Sequence, residues 1–204
     1  MILFFDKKTE RNRTKELFFL EKDNPVYNQI IELQNKLSVF STGKIICVSS
    51  LDFDLCAAGF GKAMADIYDA NGEATLLIDA NLYNPLLKST LKEIAGENDE
   101  TTENKIKFGE KSVGVSFEKE TYPVEAIKEK VINGIIKKEG KNYQRIIVVV
   151  PDLNKHEDIV LFKEICECFL VIVRKSETPR KEINKAINFA EEKGLQNFRF
   201  VIMR

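Results

Sequence analysis

Three aspartates and one lysine hold most of the chemistry open to this sequence. Asp52 and Asp54 lie in a short segment, SSLDFDL, directly after an apolar, β-branched run (Ile45, Ile46, Cys47, Val48), and Asp79 closes a second such run, TLLID, with Asn81 two residues on. Carboxylate oxygens are the ligands that hard divalent cations require, so Asp52, Asp54 and Asp79 brought together would make a site for a cation or a small cationic ligand. At the start of a helix, carboxylates instead accept hydrogen bonds from free first-turn N–H groups and offset the positive end of the dipole. Capping is the expected role of Asp52 and Asp54. Between the two runs, Gly59-Phe60-Gly61-Lys62 spells GxGK. In phosphate-binding loops, glycine amides and a lysine surround phosphate oxygens at a helix N-terminus. Here Ala63 replaces the serine or threonine and the further upstream glycine is missing, so the match is weak. Gly59 and Gly61 are expected to let a helix approach the sheet while Lys62 points to solvent. The alternative is a nucleotide site built from Gly59, Gly61 and Lys62, with ATP or ADP and magnesium.

The other reactive residue types are sparse. The four cysteines, Cys47, Cys56, Cys166 and Cys168, have apolar neighbours, and with the one histidine, His156, they give no metal-finger spacing. They are expected to be small core residues in a reducing compartment, although a CxC at Cys166 and Cys168 is a possible redox pair. His156, among Asn154, Lys155 and Glu157, has no nucleophile beside it in sequence and is expected on the surface. Basic and acidic residues nearly cancel, 31 against 32, so no overall field draws the chain to nucleic acid or an anionic membrane. There is no hydrophobic run long enough for a membrane span or a signal peptide, and a cytoplasmic protein without direct membrane insertion is expected.

These residues need elements to position them. An apolar run, an acidic loop, an alanine-rich segment ending at Gly72 and a second apolar run fill residues 44–85, the length and pattern of a βαβ unit with a right-handed crossover. Before it, residues 1–24 form an arm laid on the domain or on a partner, and Pro25 opens a helix with Ile30, Ile31, Leu33 and Leu37 on one stripe. After it come a short helix from Pro85, a polar, exposed loop at 97–111, and a strand at 112–117. The rest reads as helix 123–139, strand 145–150, helix 156–166, strand 169–173, helix 179–193 and strand 198–203. Such alternation predicts one α/β domain over residues 25–204, a three-layer sandwich whose mostly parallel central sheet has helices on both faces. Ligands in such folds bind where strands end, here at 49–54, 79–85 and 151–154.

At those places the chain resembles a known family. The segments KIICVSS, LLIDANLYNP, YQRIIVVVPD and FLVIVRKSETPRKEINKAINFAEEKG, in that order, are similar to the ATPase domain of bacterial tyrosine kinases of capsular and exopolysaccharide synthesis, a branch of the MinD/ParA-type P-loop ATPases. The resemblance implies the P-loop NTPase fold. It places the family's GxGK[ST] loop on Asp54, Leu55, Cys56, Ala57 and Ala58, and its magnesium-holding aspartate on Val149. Asp79 matches, whereas Asn81 replaces the family's second aspartate. The kinases' ExxRxxR assembly helix falls on Asn28, Ile31 and Gln34, and their C-terminal tyrosine cluster has no counterpart before Arg204. The resemblance therefore implies a degenerate nucleotide site of Asp52, Asp54, Ala57, Ala58, Asp79, Asn81 and Val149, with no catalytic residue, no metal and no cofactor. It further implies a protein partner, either a membrane polysaccharide chain-length regulator or an active paralogue, that would hold the chain peripherally at the inner membrane face.

Overall fold

The structure, a computed structural model, describes residues 2–3, 22–39, 43–51, 54–87, 105–118, 131–175, 177–195 and 197–203. In chain order its elements are β1 (Ile2–Leu3), α1 (Pro25–Val39), β2 (Ile45–Ser50), α2 (Asp54–Ala70), β3 (Thr75–Asp79), β4 (Lys105–Lys107), β5 (Val113–Ser116), α3 (Val131–Glu139), β6 (Arg145–Val149), β7 (Cys168–Arg174), α4 (Arg180–Lys193) and β8 (Phe198–Met203). One sheet holds all the strands in the order β1-β8-β7-β2-β6-β3-β5-β4. Every pairing is parallel except that of β4 with β5.

The strands at the centre are buried on both faces, which is why their sequences run apolar without alternation. Their side chains nevertheless divide by parity. Ile46, Val48, Leu77, Ile147 and Val149 meet α1 and α2 on one face. Cys47, Leu76, Ile78, Ile146 and Val148 meet α3, α4 and a 3-10 helix, Glu157–Phe162, on the other. The three layers expected from the sequence are present.

Local signals account for most boundaries. Asn24 caps α1, its Oδ1 accepting from the Val26 amide at 2.9 Å, and Pro25 fills the first turn, where a missing N–H costs nothing. α4 ends at Gly194, which takes the left-handed conformation (φ 64°) that closes a helix C-terminus. Gly61 lies where α2 crosses the sheet: a Cβ there would come within 2.9 Å of Val149 Cγ2. The expected close packing at this glycine is therefore present.

Several expectations need correction. Part of the loop expected at 97–111 is strand β4, antiparallel to β5, with Ile106 buried and Phe108 packed on the core. Its turn is tied to α2 by Asp69, whose carboxylate accepts from the amides of Glu110 and Lys111 and from the Ser112 hydroxyl. The helix expected at 156–166 is instead the short 3-10 helix. α3 is described only from Val131; of the helix expected after Pro85, Leu87 is helical and the residues beyond it lie outside the described ones. Of the 1–24 arm, Ile2 and Leu3 pair with Ile202 and Met203 as an edge strand on the same domain. Cys47 and Cys166 are not separate core thiols: they are joined as a disulfide, Cα to Cα 5.9 Å, while Cys56 and Cys168 are buried and outside any disulfide. The two cysteines meet because Cys166 sits two residues ahead of β7, which is hydrogen-bonded beside β2 with Ile46 opposite Cys168.

Candidate functional site at the carboxyl edge of the sheet

Strands β2, β3 and β6 end level with one another, so the expected site residues do come to one edge. Val149 is in register with both Val48 and Asp79. The loops leaving these ends are stitched together. Ala80 N–H donates to the Val149 carbonyl at 2.8 Å, Val150 N–H to the Val48 carbonyl at 2.9 Å, and the Ser49 hydroxyl to the Pro151 carbonyl at 2.6 Å.

Asp79 is fully buried, and its carboxylate already has work. Oδ2 accepts from the amides of Leu86 and Leu87 at 2.8 and 2.9 Å, and Oδ1 from the amide of Asn81 at 3.3 Å. Asn81 repeats the pattern one step along, its Oδ1 accepting from the Asn84 amide. Together they fold residues 80–87 back over the strand end, the local backbone bonding that Asp and Asn favour in turns. Val149 presents only methyl groups, and Ala57 and Ala58 are buried in α2.

The lysine is elsewhere. α2 begins at Asp54, so Gly59, Gly61 and Lys62 lie in its second and third turns, and no loop forms at GFGK. Lys62 does not point to solvent. Its side chain is 4% exposed, its Nζ donates to both carboxylate oxygens of Asp66 at 2.6 Å, and it lies 4.9 Å from the centre of the Phe108 ring. The i, i+4 spacing on one helix makes that pair, and the β4–β5 hairpin covers it. Burial pushes the Asp66 carboxyl above its ordinary value even though the Lys62 charge pulls it down. Asp52 lies outside the described residues and only the backbone of Asp54 is described, so their expected capping role does too.

Some residues at this edge were not foreseen. Asp152, with its side chain wholly buried, accepts from the Asn154 amide at 2.9 Å and pairs with Lys155 at 2.9 Å, turning the chain after β6. A Pro-Asp-x-Asn sequence is a turn signal and could have pointed to it. His156 is half-buried rather than a surface residue, stacked on Tyr83 at 3.7 Å between ring centres. The Tyr83 hydroxyl donates to Asp158 Oδ2 at 3.1 Å. Burial, with the Asp158 charge second, raises the tyrosine above its ordinary value. No sequence signal joins residues so far apart. Among the described residues no group of three or more His, Cys, Asp or Glu is placed to hold a metal ion.

On α1, Gln34 is buried and donates to the Met64 carbonyl at 3.0 Å, Ile31 packs on the core of its own domain, and Asn28 is exposed. No helix among the described residues is long and apolar enough to cross a membrane.

With this geometry fixed, known structures can be set beside it. The kinase domain of the Escherichia coli tyrosine kinase ETK superposes with a TM-score of 0.80 at 14% identity, over 100% of this chain and 88% of that one. The fold is that of the bacterial tyrosine kinase domains. The chimerical protein CapA2B2 gives 0.77 at 16% identity, over 100% of this chain and 92% of its own. The MinC:MinD cell division complex of Aquifex aeolicus is more distant, at 0.59 and 15% identity over 78% and 68%. These neighbours are the kinase domains and MinD-type ATPases that the sequence segments resemble. No family model matches the sequence, and no curated protein does.

Proposed function

We propose that this protein keeps a bacterial tyrosine kinase fold without its nucleotide chemistry, and that it acts by binding another protein in capsular or exopolysaccharide synthesis. The observation that carries the proposal is the position of Lys62: buried inside α2 and paired with Asp66, it is not available to phosphate oxygens. The residues at the strand ends do not fit a magnesium nucleotide either. Val149 offers no oxygen, and the Asp79 carboxylate is occupied by three backbone amides. The sequence supports the same conclusion, because Asp52 and Asp54 stand where a phosphate loop would offer glycine amides, and carboxylates there repel a triphosphate.

The partner we propose is a membrane polysaccharide chain-length regulator or an active paralogue, which would place the protein in the cytoplasm and peripherally at the membrane. The test is a thermal melt with and without millimolar ATP or ADP and magnesium. A nucleotide at a hundred times its dissociation constant would stabilise the fold by about 2.7 kcal/mol. At this chain length that is a rise of roughly 5–10 °C. No rise is expected. Magnesium-dependent stabilisation or ATP hydrolysis by the pure protein would overturn the proposal, and co-purification with a named regulator or paralogue would identify the partner.

A further inference from the structure

We infer that Cys47 and Cys166 are a reversible dithiol–disulfide pair through which oxidation ties the segment ahead of β7 to the central strand β2. Two placements support reversibility over a permanent staple or two inert thiols. Both residues are buried, but Cys47 is wholly enclosed whereas Cys166 keeps 7% of its surface exposed, so Cys166 is the nearer of the two to solvent. Cys166 also lies between the 3-10 helix and β7, in a connector outside any helix or strand, whose contacts include Ile165 and Cys166 N–H to the Phe162 carbonyl, Glu167 N–H to the Ile45 carbonyl, Asn197 Nδ2 to the Glu167 carbonyl, and the Cys166 sulfur against the Cys168 carbonyl. A thiol in such a connector can turn outward to react and turn back to its partner.

The chemistry balances with a peroxide as the oxidant. The Cys166 thiolate attacks a peroxide oxygen, the O–O bond breaks, and hydroxide leaves to become water, giving a sulfenic acid. The Cys47 thiolate then attacks that sulfur, the S–O bond breaks, and a second water leaves as the disulfide forms. Two thiols lose two hydrogens and one peroxide becomes two waters. In the reverse direction a thiol reductant attacks Cys166, the less enclosed of the two, once the connector turns outward, and Cys47 departs as thiolate. The reductant's second thiol then closes its own disulfide and frees Cys166.

The remaining cysteines stay out of the exchange. Cys168 is two residues from Cys166 but belongs to the opposite face of the sheet, with Sγ against the Asn197 carbonyl. Burial pushes its thiol up to about 11. Cys56 is buried in α2.

The experiment uses the full chain, reduced, freed of reductant, and exposed to hydrogen peroxide. Thiols are then alkylated under denaturing conditions and the protein is read by intact mass and peptide mapping. Peroxide should remove two of the four alkylatable thiols and link the peptides carrying Cys47 and Cys166, and dithiothreitol added to the folded protein should restore both. The link closes a loop of 119 residues. The oxidised form should therefore melt higher than the reduced form, by on the order of 10 °C. Four free thiols after peroxide, a link through Cys56 or Cys168, a link that resists dithiothreitol until the protein is unfolded, or identical melting of the two forms would each overturn the inference.

Discussion

Lys62 shows how much a single side chain can change a functional argument. In sequence it completes a GxGK, but in the structure its ammonium neutralises Asp66 beneath the ring of Phe108. Replacing it with alanine would confound loss of a binding group with loss of packing, since the aliphatic stem is buried as well. Lys62→Met keeps the stem and removes the charge. Taking one partner from a fully buried ion pair costs about 3–5 kcal/mol, and the partial exposure of Asp66 brings the expected loss to roughly 1–3 kcal/mol in urea unfolding at neutral pH. The pH dependence has a fixed sign. The Asp66 carboxyl titrates above 3.8 in the fold, so its charged form is the penalised one, and the penalty fades as pH falls through that raised value. The deficit of Lys62→Met against wild type should therefore narrow between pH 7 and pH 4. A deficit that is constant or grows on acidification would show that Asp66 is not the stranded partner.

At the scale of elements, α2 is held from both sides. Against the sheet, Gly61 meets Val149 with no room for a methyl group. Helix propensity alone favours alanine over a mid-helix glycine by about 1 kcal/mol, whereas overpacking a core contact costs about 1–3 kcal/mol. Gly61→Ala should therefore lose roughly 1 kcal/mol in chemical denaturation, and a gain would refute the close approach. On the outer side, Asp69 grips the β4–β5 turn. Burial pushes its carboxyl up, but bonds from the Ser112 hydroxyl and the Lys111 and Glu110 amides outweigh it and hold the group below 3.8. The grip should be complete above pH 4 and weaken as pH falls below that lowered value. Hydrogen exchange at the amides of Glu110 and Lys111 should accelerate there in wild type but show no such step in Asp69→Asn. This hairpin was also the least legible element. Ile106 and Phe108 do alternate with Lys105 and Lys107 as in a strand, but the run is only four residues long within an otherwise polar stretch, too short to distinguish it from a loop. The long apolar strands and capped helices were readable because their signals are local, whereas β4 depends on Asp69 and Ile106 finding distant partners.

For the molecule as a whole, the mostly parallel sheet with helices on both faces followed from the alternation of elements and the family resemblance, and the gathering of Asp79, Asn81 and Val149 at one edge followed from strand ends. What the sequence hid were contacts between residues distant along the chain: the Tyr83–His156 stack, the burial of Asp152, and the link from Cys47 to Cys166. No periodicity reports such pairs. The same distance shapes the birth of the protein. β2 lies between β6 and β7, Ile46 pairing with Ile147 on one side and Cys168 on the other, so both edges of the central strand wait for partners made about a hundred residues later. At a ribosomal pace of roughly 5–20 residues per second, that apolar strand spends on the order of 5–25 s without its neighbours. The nascent chain therefore has to be sheltered from its own kind while it is still unfinished, and the order of strands in the sheet is also a demand on the cell's chaperones.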